Sequence, residues 1–209
     1  TKDWVRLPEV NARPTNLHGD VAVASNGEVY ISTMDAAHGV QVFSQGGKYL
    51  RDVPNAPNDF HGFVIRKDRE GEFIYGPRLV AGSIVKLTLD GKTVLEIPGS
   101  AIPDAFKNPP APATKKNAKG EQVANPDAGK RPLRLTGMDV APNGDLYVTD
   151  GYASSYVHRF DRNGKYIKSF GGTKEPYGFK TLHKIAIDTR FTPARIIGVD
   201  RENRRVIHM

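Results

Sequence analysis

The sequence predicts an all-β protein built from four copies of one strand pattern. In each copy an apolar first strand with an early His or Thr leads to a tight turn, a second strand, a polar loop and a third strand. The copies open at His18, His61, Thr136 and His183. No stretch holds an apolar period near 3.6 residues for three turns, so helices are not expected. Self-similar short strands at a regular spacing indicate a repeat architecture.

The spacing of the copies predicts a β-propeller made of four-stranded antiparallel blades. The second copy starts 43 residues after the first, and the fourth starts 47 residues after the third. Both steps suit one four-stranded blade. The middle step of 75 residues contains the segment 101–131, which is rich in Pro, Lys and Asn and lacks an apolar period. We expect this segment to be an exposed insertion between two blades.

The turns justify each blade in order. Asn-Gly pairs at 26–27 and 143–144 stand between alternating strands, and Gly-containing turns at 45–48, 90–92 and 162–165 introduce a fourth strand in the first three copies. The fourth copy reaches Met209 after its third strand. Because each blade needs neighbours to cover its faces, we expect a single propeller domain over residues 1–209. Whether the four visible blades form the whole ring stays open, and Trp4–Leu7 is a candidate strand for closing it.

Composition limits the function classes. The chain of 209 residues has no Cys, which excludes disulfides and thiolate metal sites. Its formal net charge is +7, but the basic residues are scattered rather than interleaved with aromatics, so we expect a solvated basic surface and no nucleic-acid partner. No apolar run is long enough to span a membrane. Because the chain starts at Thr1, we expect a removed N-terminal segment and a secreted or periplasmic location.

Copies three and four resemble a known family. The segment Asp150–Ser155 with Phe160, and His183 with Asp200–Arg205, resemble the NHL-repeat propellers and, within them, the peptidyl-hydroxyglycine amidating lyases. The resemblance covers roughly residues 15 to 209 without the insertion. It implies a six-bladed ring around a central channel.

The resemblance also implies a channel site. In that family His residues from alternate blades hold zinc, a Tyr in an Asp-Gly-Tyr loop takes the proton of the substrate's hydroxyl, and arginines hold the substrate. The matching residues are His61 and His183 for zinc, Tyr152 for the base and Arg201 for catalysis and substrate binding. Neutral imidazoles suit Zn²⁺, and three of them leave one position open for substrate. The family also has a calcium ion, so calcium is a second expected cofactor.

The sequence departs from the family at several positions. The family's third zinc His belongs to a sixth blade that has no counterpart among the four copies, so His18 is an alternative third ligand. Thr33-Met34-Asp35 stands where the first blade's arginine is expected, and Arg78 in the second blade is a candidate replacement for binding substrate. Lys184 follows His183 where the family usually has a small residue.

Each of these residues also has a structural interpretation. A His at the start of an innermost strand can be a hydrogen-bonded channel-lining residue, and Tyr152 can be a packed loop aromatic. We expect Asp150 and Asp200 to cap their loops by accepting backbone N–H bonds. Arg201 can pair with Glu202 instead of a substrate.

Two functions therefore remain open. The first is a metal-dependent, lyase-like or hydrolase-like enzyme acting on a small molecule or peptide at the mouth of the channel. The second is a non-catalytic binding module for a peptide, glycan or protein partner, with the segment 101–131 as a contact element. The motifs of serine hydrolases, phosphate loops and His-Glu-x-x-His metalloproteases are absent from the sequence. Propellers host both classes, so the fold does not choose between them.

Overall fold

The computed structural model describes Trp4, Val5, Asn16 and residues 18–209. Within this part of the chain, four antiparallel sheets follow one another, each with its strands in chain order. Blade 1 consists of β1 (Val21–Val23), β2 (Val29–Ser32), β3 (Val40–Phe43) and β4 (Tyr49–Asp52). Blade 2 consists of β5 (Val64–Lys67), β6 (Glu72–Pro77), β7 (Ile84–Thr88) and β8 (Thr93–Ile97).

A separate two-stranded hairpin, β9 (Thr114–Lys116) and β10 (Gln122–Ala124), precedes blade 3. Blade 3 consists of β11 (Gly137–Val140), β12 (Leu146–Thr149), β13 (Tyr156–Phe160) and β14 (Tyr166–Gly171). Blade 4 has three strands, β15 (Leu182–Asp188), β16 (Arg195–Asp200) and β17 (Arg205–His208). The predicted all-β propeller is confirmed, with a fourth blade of three strands in the described chain.

The Asn-Gly turns form as the sequence predicts. In blade 1 the backbone N–H of Gly27 donates to the carbonyl of Ala24, and Gly27 has a φ of 85°. In blade 3 Gly144 makes the same bond to Ala141 with a φ of 88°. This is the three-residue hairpin in which a type I turn is followed by a left-handed residue, and glycine adopts that conformation without steric cost.

Neighbouring blades pack face to face through apolar side chains. One buried cluster joins blades 1 and 2, a second joins blades 2 and 3, and a third joins blades 3 and 4. Tyr30, Phe60 and Phe160 are among the fully buried side chains of these clusters. Each blade therefore depends on its neighbour for burial, as the repeat pattern predicts.

Blades 1 and 4 meet through charge instead. Lys184 of β15 forms an ion pair with Asp20, which directly precedes β1. Val21 and Val23 of β1 stay 55% and 61% exposed. Within the described residues, the three apolar clusters join only the successive blades.

The insertion at 101–131 is not exposed throughout. Its start lies in two short 3₁₀ turns, Gly99–Ala101 and Asp104–Phe106. Ile102 between them is 1% exposed and belongs to the core between blades 2 and 3. This first part of the predicted insertion therefore packs against the core between blades 2 and 3. The hairpin β9–β10 is largely exposed.

The N-terminal segment proposed to close the ring is described only in part. The indole Nε1 of Trp4 donates to the carbonyl of Gln45 at 3.1 Å, and the indole ring lies 6.2 Å from that of Phe43. Trp4 therefore packs on blade 1. Arg6 and Leu7 lie outside the described residues, so the closing strand stays a prediction. No helix in the described part of the chain is long and apolar enough to cross a membrane.

Antiparallel strands give the propeller two distinct faces. We call the upper face the one that carries the loops between second and third strands and the starts of the first strands. The lower face carries the turns between first and second strands and between third and fourth strands.

Candidate functional site

Four of the sequence-predicted residues meet at the upper face. Their centre is the hydroxyl of Tyr152, in the loop between β12 and β13. This oxygen lies 3.0 Å from Nε2 of His61, 2.9 Å from Nε2 of His183 and 3.2 Å from Nη1 of Arg201. Blades 2, 3 and 4 each contribute to the cluster, because each first strand starts, and each second strand ends, at the same face.

A backbone contact sets the protonation of His61. Its Nδ1 lies 3.0 Å from the carbonyl oxygen of Thr136, which can only accept a hydrogen bond. The proton of the neutral ring is therefore on Nδ1, and Nε2 presents its lone pair to Tyr152. His61 is 5% exposed, and burial lowers the pKa of its imidazole below the usual value of 6.5. The ring is consequently neutral at pH 7.

A β-bulge places His183. Leu182 pairs with Asp200 and Lys184 pairs with Val199, so His183 is the extra residue on β15. Bulges change the direction of a side chain and are frequent next to functional sites. The pKa of His183 is lowered to about 4. Burial is the largest cause, and the neighbouring His61 and Arg201 lower the pKa further. Alignment of the copies on His183 did not reveal the bulge, because the extra residue has no sequence signal.

The hydrogen bonds of the cluster can all be satisfied at once. Tyr152 has one hydroxyl proton, and His61 Nε2 is a fixed acceptor for it. The phenol oxygen then accepts the Nε2–H of neutral His183 and an N–H of Arg201. A phenol between a proton acceptor and a guanidinium can give up and take up a proton, which is the requirement for a general acid or base.

Two buried carboxylates shape the loops that carry Tyr152 and Arg201. Asp150 accepts the backbone N–H of Arg134 and the hydroxyl of Ser154, both at 2.6 Å. Asp200 accepts the backbone N–H of Lys180 at 2.8 Å and also binds two side chains of its own loop. Both aspartates are fully buried, and the predicted capping role is confirmed.

Gly151 brings the Tyr152 loop close to the first strands. A Cβ at this position would lie 2.4 Å from Oγ1 of Thr136 and 2.5 Å from the carbonyl oxygen of Leu182. Any larger residue would push the loop away from blade 4. The glycine of the Asp-Gly-Tyr sequence is therefore required for the contact between Tyr152 and His183.

Arg201 pairs with Glu202, as its structural interpretation predicts, and it also lies over the ring of Tyr152. Its Nε donates to Glu202 at 3.0 Å, and its guanidinium carbon lies 5.2 Å from the centre of the Tyr152 ring. The side chain is 47% exposed. It can therefore hold Tyr152 and still offer N–H donors to a ligand that enters from solvent.

His18 lies beside the cluster, but a three-ligand metal site is not assembled. The His18 ring is 4.7 Å from that of His61, and the ring of His183 is also 4.7 Å from that of His61. Nε2 of His61 and Nε2 of His183 are both hydrogen-bonded to the Tyr152 hydroxyl. Within the described residues, no group of three or more His, Cys, Asp or Glu side chains is arranged to hold a metal ion. The zinc and calcium expectations stay predictions.

Arg78 is held by a different partner. Its Nε donates to Asp59 at 2.9 Å, and the second oxygen of Asp59 accepts the backbone N–H groups of Val80 and Ala81. In the described chain the Tyr152 hydroxyl is bonded by His61, His183 and Arg201, and Arg78 is not in that set. Its role in substrate binding stays a prediction.

Sequence reasoning missed two contributors to the site. The first is the carbonyl of Thr136, which orients His61. The second is the ion pair of Asp20 with Lys184, in which Asp20 lies two residues after His18 and Lys184 directly follows His183. Asp20 and Lys184 are separated by 164 residues. Such contacts leave no local pattern, because the partners are joined only by the arrangement of the blades.

Comparison with solved structures shows the fold. No protein-family model matches the chain. It is similar to streptogramin B lyase, with 15% identity and a TM-score of 0.56 over 93% of this chain and 52% of that one. It is also similar to a protein of unknown function from Bacteroides thetaiotaomicron VPI-5482, with 13% identity and a TM-score of 0.59 over 91% of this chain and 46% of that one.

A third similar structure is an auxiliary nutrient binding protein from Bacteroides ovatus ATCC 8483, with 14% identity and a TM-score of 0.57. The match covers 90% of this chain and 47% of that protein. The chain thus spans about half the length of the structures it matches. At these identities the likeness shows a β-propeller fold and no activity.

Proposed function

We propose that this chain is a lyase-like propeller enzyme that works at the upper mouth of its channel. The observation that carries the proposal is the position of the Tyr152 hydroxyl between His61, His183 and Arg201, at 2.9 to 3.2 Å. The resemblance of these residues to the amidating lyases supports a substrate that ends in α-hydroxyglycine. The β-propeller fold itself does not depend on this resemblance.

The reaction uses Tyr152 as the proton acceptor. Tyr152 first passes its own hydroxyl proton to Nε2 of His61. Its oxygen then takes the proton of the substrate's hydroxyl, the carbon–oxygen bond becomes a carbonyl, and the carbon–nitrogen bond breaks with its electrons moving to nitrogen. The nitrogen then takes up the proton held by His61 to give the shortened amide, and the site returns to its starting protonation. The proton that leaves Tyr152 has an acceptor in Nε2 of His61, and the exposed Arg201 supplies positive charge for the substrate's carboxylate.

Zinc is part of the proposal, with His61, His183 and His18 as the residues that would hold it. His61 and His183 are both neutral at pH 7, as metal ligands must be. When bound, zinc would act as a Lewis acid on a substrate oxygen. The lone pair of His61 can serve either zinc or the Tyr152 proton, so metal analysis separates the two forms of the site.

The direct test is turnover of a short peptide that ends in α-hydroxyglycine. We expect the wild-type protein to release the amide and the carbonyl product, and Tyr152→Phe to lower the rate by about 100-fold or more, because the acceptor oxygen is lost. Tyr49→Phe in β4 is the matched control and should leave the rate unchanged. No turnover by protein purified with or without added zinc would remove this substrate class.

Zinc is tested by elemental analysis of untagged protein. We expect about one zinc per chain in the wild type and none in the His61→Ala, His183→Ala double variant. Wild-type protein that is active but free of metal would leave the Tyr152–His61 proton pathway as the mechanism and remove the metal from the proposal.

The binding module is the second candidate, because every polar atom that meets at the Tyr152 hydroxyl has a protein partner. A closed network of this kind suits a rigid channel lining as well as a catalytic site. Retained peptide binding without turnover would favour the binding module. A secreted or periplasmic location stays a prediction for either function.

A further inference from the structure

The lower face has two grooves that flank blade 3, on the side opposite to Tyr152. The groove between blades 2 and 3 has a volume of about 1000 Å³, and the groove between blades 3 and 4 has a volume of about 630 Å³. Ala141, Pro142, Ile187 and Thr189 line both grooves. We call these two connected grooves the lower crevice. Its position separates it from the proposed catalytic site.

The lower crevice gathers positive charge. Its lining contains seven Lys or Arg side chains and three Asp or Glu side chains. Arg66, Lys86 and Arg159 are paired with carboxylates. The other four, namely Lys67, Arg69, Arg162 and Lys168, are exposed and have no carboxylate partner among the described residues. Unpaired cations along one surface attract an anionic partner.

The same crevice exposes apolar side chains. Val94 of β8 is 44% exposed in the groove between blades 2 and 3, and Phe191 is 37% exposed in the groove between blades 3 and 4. Leu95 and Phe170 add apolar surface beside them. Apolar surface next to unpaired cations suits a chain that carries both carboxylates and apolar side chains.

We propose that the lower crevice binds an acidic segment of a partner protein. The partner's carboxylates pair with Lys67, Arg69, Arg162 and Lys168, and its apolar side chains cover Val94 and Phe191. A peptide explains both features, whereas a polyanion such as single-stranded DNA or a sulfated glycan uses only the cations. Because the crevice opens on the lower face, a bound partner leaves Tyr152 and Arg201 accessible.

The probe is a short fluorescein-labelled peptide of alternating Glu and Leu, followed by fluorescence anisotropy at low and moderate salt. We expect Lys67→Glu with Arg69→Glu to weaken its binding by about tenfold or more, since two attractive contacts become repulsive. Lys174→Glu with Lys180→Glu, in the loop between β14 and β15 on the upper face, is the matched control, with the same change in net charge. It should change the affinity less than about twofold. Both pairs are exposed, so both variants should fold.

Three outcomes would overturn the proposal. Equal weakening by the crevice variant and the Lys174→Glu, Lys180→Glu variant would show attraction to net charge alone. Equal or tighter binding of poly-glutamate or of an oligothymidylate would show a polyanion site without apolar recognition. Absence of binding of the Glu-Leu peptide to wild-type protein would remove the site. Val94→Ser with Phe191→Ser tests the apolar part and should weaken the Glu-Leu peptide while leaving poly-glutamate unchanged.

Discussion

The Tyr152 hydroxyl and Nε2 of His61 lie 3.0 Å apart, although 91 residues separate them in the chain. The contact depends on how closely the first strands of blades 2 and 3 approach each other. Gly62, directly after His61, lies against the carbonyl of Thr136, the same carbonyl that orients the His61 ring. A small residue at the blade junction thus determines the geometry of the candidate site.

Gly62→Ala should therefore loosen this junction. The added Cβ would lie 2.5 Å from the carbonyl oxygen of Thr136, which is backbone and cannot move freely. We expect the free energy of unfolding to fall by about 1–3 kcal/mol, as for other overpacked sites. Urea denaturation measures it. Gly46→Ala is the control, because its nearest atom is 3.9 Å away. Equal stability of the two variants would show that the junction tolerates a larger separation.

Asp139 links three blades and should be important for stability. Its carboxylate accepts Nε of Arg66 from blade 2 at 2.9 Å and the backbone N–H of Ile187 from blade 4 at 2.8 Å. Asp139→Ala leaves that partly buried N–H without its partner and also breaks the ion pair with Arg66, so we expect a loss of about 1–3 kcal/mol in the free energy of unfolding. Glu70→Ala, at an exposed position, should cost less than about 0.5 kcal/mol. Thermal denaturation that ranks Glu70→Ala as the more damaging change would contradict this account.

The loop that carries Tyr152 should depend on Asp150. Asp150→Ala removes the acceptor of the Arg134 and Ser154 backbone N–H groups in a fully buried place, and we expect a loss of about 2–4 kcal/mol. Ser154→Ala removes one hydroxyl contact to the same carboxylate and should cost about 1 kcal/mol. Chemical denaturation of both variants gives the comparison. Similar losses would mean that the backbone N–H bonds contribute little.

His158 should make stability depend on pH. The side chain is fully buried in β13, its Nε2 has no hydrogen-bond partner among the described residues, and burial lowers its pKa to about 3. As the pH falls below the unfolded value of about 6.5, the unfolded chain binds the proton first. The stability that His158 contributes is therefore complete above pH 6.5 and is lost as the pH falls towards 3.

The measurement is the difference between wild type and His158→Leu in free energy of unfolding from pH 7 to pH 4. We expect the wild type to lose up to about 1.4 kcal/mol per pH unit more than the variant. Gln122→Leu, at an exposed position that does not titrate, is the control and should follow the wild-type curve. Parallel curves for wild type and His158→Leu would show that the buried ring is not the source of the pH dependence.

Much of the fold was predictable from sequence, because its signals are local. The strands follow from alternating apolar residues, and the turns at Gly27 and Gly144 follow from the need for a left-handed residue. His61, Tyr152, His183 and Arg201 were found from their motifs and positions in the repeats. The burial of Ile102 was not predictable, because it depends on which blade covers the start of the insertion.

The sequence by itself determined the number of visible blades, the order of their strands and four of the residues that meet at the upper face. The tertiary structure decided which atoms meet there: the bulge at His183, the lone pair that His61 directs at Tyr152, and the ion pair of Asp20 with Lys184. It also decided where the charge lies, since basic residues scattered along the chain come together in the lower crevice. The physical reason is that turns and alternation depend on neighbours in sequence, whereas contacts between blades join side chains far apart in the chain, 31 residues for Tyr152 and His183 and 164 residues for Asp20 and Lys184.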